Sequence, residues 1–318
     1  MKYSGIGGQA VIEGIMMMKG EDYAVAVRRP DKEIEVKKDT YQSITKKAKI
    51  LQLPFVRGVF RFADSMIIGM RSLSYSASFF EDDEDAEPGK FEQLLDRVFG
   101  EKLESAIMAA VLVISFILAI AIFMLLPLGI ANLFKGVITS DHLMAVLEGV
   151  IRIAIFIIYI KLVSRMEDIR RTFMYHGAEH KCINCVEHGH PLTVKYVRES
   201  SKEHKRCGTS FILIVMVISI LMFMVIRVDT IWMRILSRII LVPVIAGISY
   251  EVLQCAGRSN SKFMDLVSRP GMWMQGLTTK EPDDSMIEVA IAATEAVFDW
   301  REYLTENFPG WEKQLEES

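Results

Sequence analysis

Two histidines four residues apart, with a glutamate between them, are the residues of this sequence best suited to chemistry. They occur in the run His176-Gly-Ala-Glu179-His180. On a helix, residues four apart lie on one face, one turn from each other. The order of residues matches the H-x-x-E-H pattern, in which two histidines bind zinc and the glutamate acts as a base. The pattern therefore predicts a divalent metal site of the Zn²⁺ type, with Glu179 as the catalytic residue.

The two histidines also continue an apolar stripe. At helical spacing the stripe runs through Met166, Ile169, Phe173, His176 and His180. A helix turns such a stripe towards protein or membrane rather than towards water. This placement fits a buried metal site, and it also fits two core histidines that are each hydrogen-bonded to the backbone. Both interpretations stay open at this level.

A second polar group, with His204 and Cys207, comes just before another apolar run. Imidazole and thiolate are both zinc ligands. Either side chain could therefore complete a metal site begun by His176 and His180. His204 is the first choice for the third ligand.

A competing scheme uses sulfur. Two residues separate Cys182 from Cys185, and two separate His204 from Cys207, which is the two-knuckle spacing of a structural zinc site. The two schemes share residues, so they cannot both be complete, and the histidine scheme is preferred. Three of the four cysteines lie among histidines. This indicates thiols or metal ligands in a reducing compartment rather than disulfides.

The composition indicates a membrane protein. The 318 residues are 51% hydrophobic, with a mean hydropathy of +0.26 and a net charge of −3. A soluble domain of this length is usually less apolar, and the near-neutral charge gives no support for nucleic-acid binding. Four apolar segments, at about 107–134, 143–163, 211–226 and 231–253, approach or exceed the roughly 20 residues that cross a bilayer. We therefore expect an α-helical membrane protein with about four transmembrane helices, whose partner is the lipid bilayer.

Positive charges predict the orientation of the spans. Lysine and arginine are frequent before the first span and between the second and third, and rare in the other two linkers. Cytoplasmic loops carry the excess of these residues. We therefore expect both termini and the loop at 164–210 to lie in the cytoplasm, on the inner side of the cell membrane. The residues that carry this bias are Arg28, Arg29, Lys46, Lys47, Lys49, Arg165, Arg170, Arg171, Lys205 and Arg206.

The ends of the chain predict a small mixed α/β cytoplasmic domain. Alternating residues at 23–28 and 33–37 flank an Arg-Pro-Asp turn and predict a small antiparallel sheet. A short helix from Thr40, an amphipathic helix at 55–80 and an acidic linker at 81–89 follow. The amphipathic helix fits the core and the bilayer surface equally well.

The last segment, after the fourth span, predicts a turn at Pro270-Gly271 and then polar loop residues that include Gln275. A capping box at Ser285 and Glu288 opens an amphipathic helix that we expect to dock on the sheet. The predicted division is thus a cytoplasmic region at 1–105, a membrane domain at 106–254 and a cytoplasmic region at 255–318.

The third and fourth spans should pack as an antiparallel hairpin, because only residues 227–230 join them. The third span starts just after Cys207, and the fourth ends near Glu251. Glu251 is therefore expected within reach of the second polar group, as a further candidate metal ligand. The alternative is a glutamate at the hydrated end of a span.

Five segments together resemble the hallmark motifs of the YqhQ-like family of bacterial membrane proteins, a domain of unknown function. They are GGQAVIEGIMM (7–17), YHGAEHK (175–181), HKRCGTSF (204–211), AGISYE (246–251) and PGMWMQGLTTKEPDDSMIEVAI (270–291). The resemblance covers nearly the whole chain and implies a multi-span protein of the bacterial cytoplasmic membrane, sometimes labelled a metal-dependent enzyme. The family's motif residues fall here on His176, Glu179, His180, His204, Cys207 and Glu251. Cys182 lies where the family is expected to vary, which weakens the two-knuckle scheme.

The sequence therefore predicts a metal-dependent, hydrolase-like membrane enzyme. His176 and His180 would bind the metal, His204 or Cys207 would complete the site, and Glu179 would activate the bound water. The alternative is a non-enzymatic transporter subunit or assembly factor, in which a polar or zinc cluster only holds the cytoplasmic domain together. A three-ligand site with one open coordination position favours the enzyme, and a closed four-ligand site favours the alternative.

Overall fold

The computed structural model describes residues 2–80, 103–226, 230–258 and 261–316. They belong to two compact units, one formed by Met1–Phe80 with Ile160–Ser318 and the other by Glu81–Tyr159. The predicted acidic linker and most of the predicted 227–230 turn lie outside the described residues. The predicted division at residues 105 and 254 stays a prediction, because packing does not report which side of a membrane a segment occupies.

A four-stranded antiparallel sheet in the order β1-β2-β3-β4 opens the larger unit. Its strands are β1 (Ile6–Val11), β2 (Gly14–Lys19), β3 (Asp22–Arg28) and β4 (Ile34–Thr40). The pairing of β3 with β4 confirms the hairpin predicted around the Arg-Pro-Asp turn. The two central strands are buried almost throughout, whereas β4 is largely exposed. Both faces of the centre of the sheet are therefore covered.

The predicted helix from Thr40 is wrong. Thr40 ends β4, and two short 3₁₀-helices follow, Ile44–Lys47 and Lys49–Gln52. The buried carboxylate of Asp64 accepts hydrogen bonds from the Ser43 hydroxyl and the Ile44 amide at 2.5 and 3.0 Å. Such local side-chain bonds compete with a regular helix.

Helix α1 (Val56–Ala77) has an inverted pattern of burial. Small or polar residues such as Gly69 and Ser76 face the protein, while Met66 and Met70 on the opposite face are exposed. Gly69 lies against the side chain of Gln9 in β1. A helix that turns its large apolar side chains outwards suits a bilayer surface better than a soluble core. The small-residue face of α1 thus packs on the protein, and contact of its exposed apolar face with a bilayer surface stays a prediction.

The smaller unit contains apolar helices. These are α2 (Leu103–Ile120), a π-helical turn (Ala121–Leu125), α3 (Leu126–Asn132) and most of α4 (Asp141–Val163). The ring of Phe123 packs edge-on against Tyr159 at 5.4 Å between centroids. Arg152 donates to Glu148 at 2.7 Å, one helical turn away, so these charges within α4 pair with each other.

The larger unit continues with eight helices among its described residues. They are α5 (Glu167–Glu187), α6 (Val194–Glu199), α7 (Gly208–Val225), α8 (Ile231–Arg258), α9 (Lys262–Thr278), α10 (Asp284–Val297), α11 (Trp300–Asn307) and α12 (Lys313–Glu316). Helices α5 and α10 pack on the sheet and on each other, around a core that includes Met17, Ile183 and Ile287. The predicted docking of the C-terminal amphipathic helix on the sheet is confirmed.

Helices α7 and α8 pack together, which confirms the predicted hairpin, and α9 packs against α7. The turn predicted at Pro270-Gly271 is wrong, because α9 continues through both residues. Pro270 lies on the exposed side of α9, while Gly271 is buried. A Cβ atom on Gly271 would lie 2.7 Å from Ser210 Oγ. Close packing on α7 therefore stabilises a helix that the local sequence would interrupt.

Four described helical segments are long and apolar enough to cross a membrane, namely Val113–Asn132, Asp141–Val163, Gly208–Val225 and Ile235–Gly257. They overlap the four predicted spans. The prediction of a mostly helical protein with four membrane-length apolar helices and a small sheet is confirmed at that level. Membrane insertion itself stays a prediction.

Candidate metal centre

Helix α5 places His176 and His180 one turn apart, with ring centroids separated by 4.4 Å. The helix begins with Glu167 and Asp168 in its first turn, where negative charge is favourable. Its second half is buried between the sheet and α10. His180 is therefore buried in the interior of the larger unit, whereas His176 is half-buried and Met166, at the start of the predicted stripe, is exposed.

Backbone carbonyls orient both rings. Nδ1 of His176 lies 3.0 Å from the carbonyl oxygen of Thr278, and Nδ1 of His180 lies 2.7 Å from that of Lys202. A carbonyl oxygen only accepts hydrogen bonds, so each Nδ1 donates, and Nε2 of a neutral ring keeps its lone pair. Histidines that bind metals characteristically donate their other ring N–H to such an acceptor.

Cys207 meets this pair from the start of α7. Its Sγ lies 3.3 Å from Nε2 of His176. The same sulfur caps α7, accepting from the Thr209 amide at 3.4 Å and lying 2.9 Å from the Thr209 hydroxyl. The positive end of a helix dipole favours negative charge at this position, which suits a sulfur ligand.

His176, His180 and Cys207 each bring one ligand atom to within 4.8 Å of the other two. Within the described part of the chain, no other group of three or more histidine, cysteine or acidic side chains converges in this way. Zn–N bonds of 2.0–2.1 Å and Zn–S bonds of about 2.3 Å place the ligand atoms of a tetrahedral ion about 3.3–3.7 Å apart. The donor set and its spacing therefore fit a divalent cation such as Zn²⁺, after small inward movements.

Glu179 directly precedes His180 in α5, and its buried side chain lies against Gly8 of β1. Burial raises the pKa of its carboxyl, although the charge of His176 and the backbone amide of Gly8 act in the opposite direction. A Cβ atom at Gly8 would lie 3.0 Å from Cγ of Glu179 and 2.6 Å from the Met16 carbonyl oxygen. Only glycine at this position of β1 leaves room for the glutamate.

His204, the preferred third ligand in the sequence analysis, is placed elsewhere. Its Nε2 faces the carboxylate of Glu187 at 3.5 Å, and its ring centroid is 5.7 Å from that of His180. Glu187 is fully buried and also binds Arg206 and both the amide and the hydroxyl of Ser4. A buried carboxylate needs such partners. His204 therefore belongs to a buried cluster around Glu187.

Burial and neighbouring groups shift the pKa values of Glu187 and His204. Burial raises the pKa of Glu187, but the contacts from His204, Arg206 and Ser4 outweigh it and bring the pKa to about 2. Burial lowers the pKa of His204 to about 4, and the nearby Arg206 and His180 add to this effect against the opposing contact with Glu187. At neutral pH the pair is therefore a carboxylate beside a neutral imidazole.

Glu251, the remaining candidate ligand, is also placed away from the three converging ligands. Arg57 donates from Nε and Nη2 to its two oxygens at 2.7 and 2.6 Å. The amide of Phe55 donates to the same carboxylate at 3.3 Å. Glu251 thus joins α8 to the start of α1, and these contacts raise the pKa of Arg57 further.

The two-knuckle scheme is not supported. Cys182 and Cys185 are buried in the core around α5, and Sγ of Cys185 contacts the Pro191 carbonyl oxygen at 3.3 Å. Burial raises the pKa of both thiols, to about 12 for Cys185. A thiol that stays protonated is a poor metal ligand.

Sequence reasoning missed the residues that hold the loop before α7. From α5, Lys181 donates to the carbonyls of Arg198 and Ser200 at 2.8 Å each. Asn184 donates in the same way to the carbonyls of Ser201 and Glu203. The spacing of Lys181 and Asn184 on the helix was visible in the sequence, but their acceptors are backbone atoms and leave no sequence signal.

Gln275 was predicted in a loop, whereas it lies in α9 and is fully buried. Its side-chain amide accepts from the His204 amide at 2.8 Å and donates to the His204 carbonyl at 2.7 Å and to Ser210 Oγ at 2.8 Å. It therefore fixes the backbone three residues before Cys207. A glutamine in the apolar sequence Met272–Leu277 was the available signal.

Comparison with known proteins assigns the chain to a family. The profile of the family described as "Protein of unknown function (DUF1385)" matches residues 53–300. The chain belongs to the DUF1385 family. It is 34% identical over 286 residues to the uncharacterized protein YqhQ of Bacillus subtilis (strain 168), covering 90% of this chain and 89% of that protein. The resemblance to YqhQ-like proteins is thereby confirmed. No solved structure matches the chain, and the DUF1385 description names no activity.

Proposed function

We propose that this chain is a metal-dependent, hydrolase-like enzyme of the bacterial cell membrane, with a divalent cation such as Zn²⁺ bound by His176, His180 and Cys207. The observation that carries the proposal is the convergence of these three ligand atoms within 4.8 Å. The carbonyl contacts at both Nδ1 atoms support it, because they leave the Nε2 atoms to act as ligands, and Nε2 of His176 lies 3.3 Å from Sγ of Cys207. Three protein ligands with one open position are typical of catalytic zinc.

A cation held there would act as a Lewis acid and lower the pKa of a coordinated water. The side chains of the protein would then hold and transfer protons in a site that is shielded from water. Burial raises the pKa of the Glu179 carboxyl, which makes its carboxylate a stronger base than an exposed one and suits the role of taking a proton from water and passing it to a leaving group. Burial of His180 and Cys207 strengthens electrostatic interactions at the centre.

The four long apolar helices support the membrane location of this proposal. The distribution of lysine and arginine places both termini and the candidate metal centre on the cytoplasmic side in this proposal. The exposed apolar face of α1 supports contact with the same bilayer.

One observation favours the non-enzymatic alternative, an assembly factor or transporter subunit with a structural zinc site. The ring of His204 lies close to His180, with 5.7 Å between centroids. His204 would become a fourth ligand if its ring turned from Glu187 towards His180. A closed site of four ligands would be structural, so the coordination number decides between the two functions.

Metal content tests the proposal. The full chain, purified in detergent and loaded with Zn²⁺ before gel filtration, should carry about one metal ion per chain by elemental analysis, the stoichiometry of a mononuclear site. His180→Ala should carry almost none. His188→Ala is the matched control, because His188 directly follows the helix that carries both histidine ligands and is exposed. This variant should retain the metal. Full retention in a His176→Ala, His180→Ala double variant would end the metal hypothesis.

Cobalt substitution separates the enzyme from the structural alternative. If one coordination position is open, azide should alter the visible spectrum of the Co²⁺-loaded protein, because it can bind the ion. Glu179→Gln should keep the metal and this response, since Glu179 is proposed as a base and not a ligand. A Co²⁺ spectrum that does not respond to azide would support a closed, structural site. Loss of metal in Glu179→Gln would identify Glu179 as a ligand.

A further inference from the structure

An apolar cavity of about 230 Å³ lies between α7, α8 and α9. Leu213 and Ile214 line it from α7, and Val252 and Ala256 line it from α8. Two of the three helices contain membrane-length apolar segments. Lys205 and Ser210 supply polar groups to the lining. The cavity is thus a largely apolar space with one basic residue, Lys205, in its lining.

The polar part of this cavity is built from the same segment as the candidate metal centre. Ser210 follows Cys207 by three residues, which is roughly 4.5 Å along a helix axis. Lys205 precedes Cys207 by two. The Ser210 hydroxyl accepts a hydrogen bond from Gln275, which also fixes the backbone of His204. A ligand in the cavity would therefore have its polar end within about one helical turn of a proposed metal ligand.

The third wall, α9, has the character of a helix at a membrane surface. Its outward face exposes Phe263, Leu266 and Trp273, each by 60% or more. Lys262 and Arg269 lie on the same exposed side. Aromatic and aliphatic side chains combined with basic residues are typical of helices that lie at the level of lipid headgroups. Lipid is therefore the expected neighbour of the outward face of α9, the helix that forms this wall of the cavity.

The size and charge of the cavity indicate which ligand it accepts. Its volume is below the roughly 300–1,000 Å³ typical of pockets that enclose a whole small molecule. It suits a segment of a longer apolar chain whose remainder stays outside. Anionic lipids at the cytoplasmic surface attract basic side chains, and Lys205 presents such a charge. An acyl chain attached to an anionic headgroup satisfies both conditions.

From these observations we infer that the substrate of the proposed enzyme is an anionic membrane lipid, with part of an acyl chain in the cavity and its phosphate facing Lys205. The inference rests on the proposed function, because it assigns a substrate class to that metal centre. The cavity itself exists independently of any metal.

Photo-crosslinking tests the inference. The full chain is placed in phosphatidylcholine vesicles that contain a minor fraction of phosphatidylglycerol with a diazirine on its acyl chain, and labelled peptides are identified by mass spectrometry. Peptides of α7, α8 and α9 that line the cavity should be labelled preferentially. Val252→Trp, which fills the cavity, should reduce this labelling about tenfold, equivalent to about 1.4 kcal/mol of binding. Val242→Trp is the control, because Val242 is exposed on the same helix, and it should leave the labelling unchanged.

A second pair of variants tests the headgroup. Lys205→Gln should abolish the preference for phosphatidylglycerol over a phosphatidylcholine probe, whereas Lys195→Gln, in α6 and outside the cavity lining, should keep it. If Val252→Trp does not fold, Ala256→Leu fills the same cavity with a smaller change. Equal labelling of all membrane helices in every variant would mean ordinary surrounding lipid and would overturn the inference.

Metal content measured on the same samples keeps the two proposals separate. The inference is supported if Val252→Trp loses the cavity labelling but still binds about one metal ion per chain, as expected for a single site. Uniform labelling with metal retained rejects the lipid and leaves the metal centre. Cavity labelling in a wild-type chain that binds no metal rejects the enzyme, and with it the role of the lipid as substrate.

Discussion

At the scale of single residues, the candidate centre depends on backbone atoms as much as on its ligands. The Thr278 and Lys202 carbonyls fix the two imidazoles, and the Thr209 amide fixes the sulfur of Cys207. These acceptors and donors come from three separate segments. The ligand geometry is therefore a property of how the segments meet, and not of the histidine helix alone.

Replacing the sulfur ligand should test this arrangement most directly. Cys207→Ser should weaken Zn²⁺ binding by more than the roughly 10–100-fold that loss of an outer-shell partner costs, because it removes a ligand. Cys255→Ser, at an exposed cysteine, should leave affinity unchanged. Competition with a chromophoric chelator measures both constants. Equal affinities in the two variants would remove Cys207 from the site.

Acid should destabilise the fold through the buried Glu187 cluster. The pKa of His204 is about 4 in the folded chain against 6.5 for a free imidazole. As pH falls from about 6.5 to 4, protons therefore bind the unfolded state first and stability is lost. The loss is on the order of 3 kcal/mol, at about 1.4 kcal/mol per pH unit. The pKa of Glu187 is about 2 in the folded chain against 4.5 for a free carboxyl. The stability that this difference gives is lost as the pH falls from about 4.5 to 2.

The thermal unfolding midpoint between about pH 7 and 4 measures the first of these losses. His204→Gln should flatten the profile, because glutamine takes up no proton in either state. His188→Gln, at an exposed histidine, should keep the wild-type slope. A wild-type midpoint that does not change over this range would contradict the assignment.

The sequence predicted the histidine pair correctly as neighbours, because i, i+4 spacing is a local property of a helix. It did not predict that Cys207, rather than His204, would lie beside them. The choice depends on Glu187, which draws His204 into its own cluster, and on the Thr209 amide, which holds Cys207 at the helix start. The first contact joins the end of α5 to the loop before α7, and the second is a local cap at the start of α7, so residue types alone cannot rank the two candidates.

At the scale of elements, α5 has two tasks. It supplies both histidines, and through Lys181 and Asn184 it also holds the loop that leads to Cys207. Its surface must fit closely against the segment after α9. A Cβ atom on Gly177 would lie 2.0 Å from the Lys280 carbonyl oxygen, and the Lys280 amide donates to the Phe173 carbonyl at 2.9 Å.

Gly177→Ala should therefore push the 278–280 segment away from α5 and withdraw the acceptor of His176. We expect a loss of about 1–3 kcal/mol in stability, typical of overpacking, together with weaker metal binding. Gly276→Ala is the control, because nothing lies within 4 Å of its Cβ position. That substitution should be neutral or stabilising by about 0.5–1 kcal/mol. The unfolding midpoint and the metal affinity are measured for both variants. Wild-type values in Gly177→Ala would show that α5 and the 278–280 segment do not pack as closely as described.

Periodic elements were the predictable part of the fold. The β3–β4 hairpin, α1 and the long apolar helices carry their signals in the sequence. The helix through Pro270 does not, because its stability comes from Gly271 packed on Ser210. The same holds for the segment after Thr40, where the distant Asp64 decides the local conformation.

At the scale of the whole molecule, the sheet unit combines both ends of the chain with α5. Ser4 binds Glu187 at the end of α5, the Tyr303 hydroxyl donates to the Lys2 carbonyl at 2.8 Å, and α10 covers the sheet. In a multi-pass protein, such a unit requires both termini on one side of the membrane.

A reporter fused after Glu317 should therefore be active only inside the cell. The positive charges before the first span and around α5 give the direction. A green fluorescent protein fusion and an alkaline phosphatase fusion at the same position form a matched pair, since they function on opposite sides. Phosphatase activity of the second fusion would reverse the orientation and place the metal centre outside.

The joining of the first and last residues around α5 has a consequence for biosynthesis. The ribosome delivers β1 to β4 first, then all four apolar helices, and only afterwards Thr278, α10 and Tyr303. Until those last segments emerge, the sheet and α5 lack the cover that completes their core. Until then the nascent chain would expose an unfinished apolar surface, and such surfaces are prone to aggregation and are bound by chaperones. Metal loading would then be the final maturation step, after insertion and after release from the ribosome.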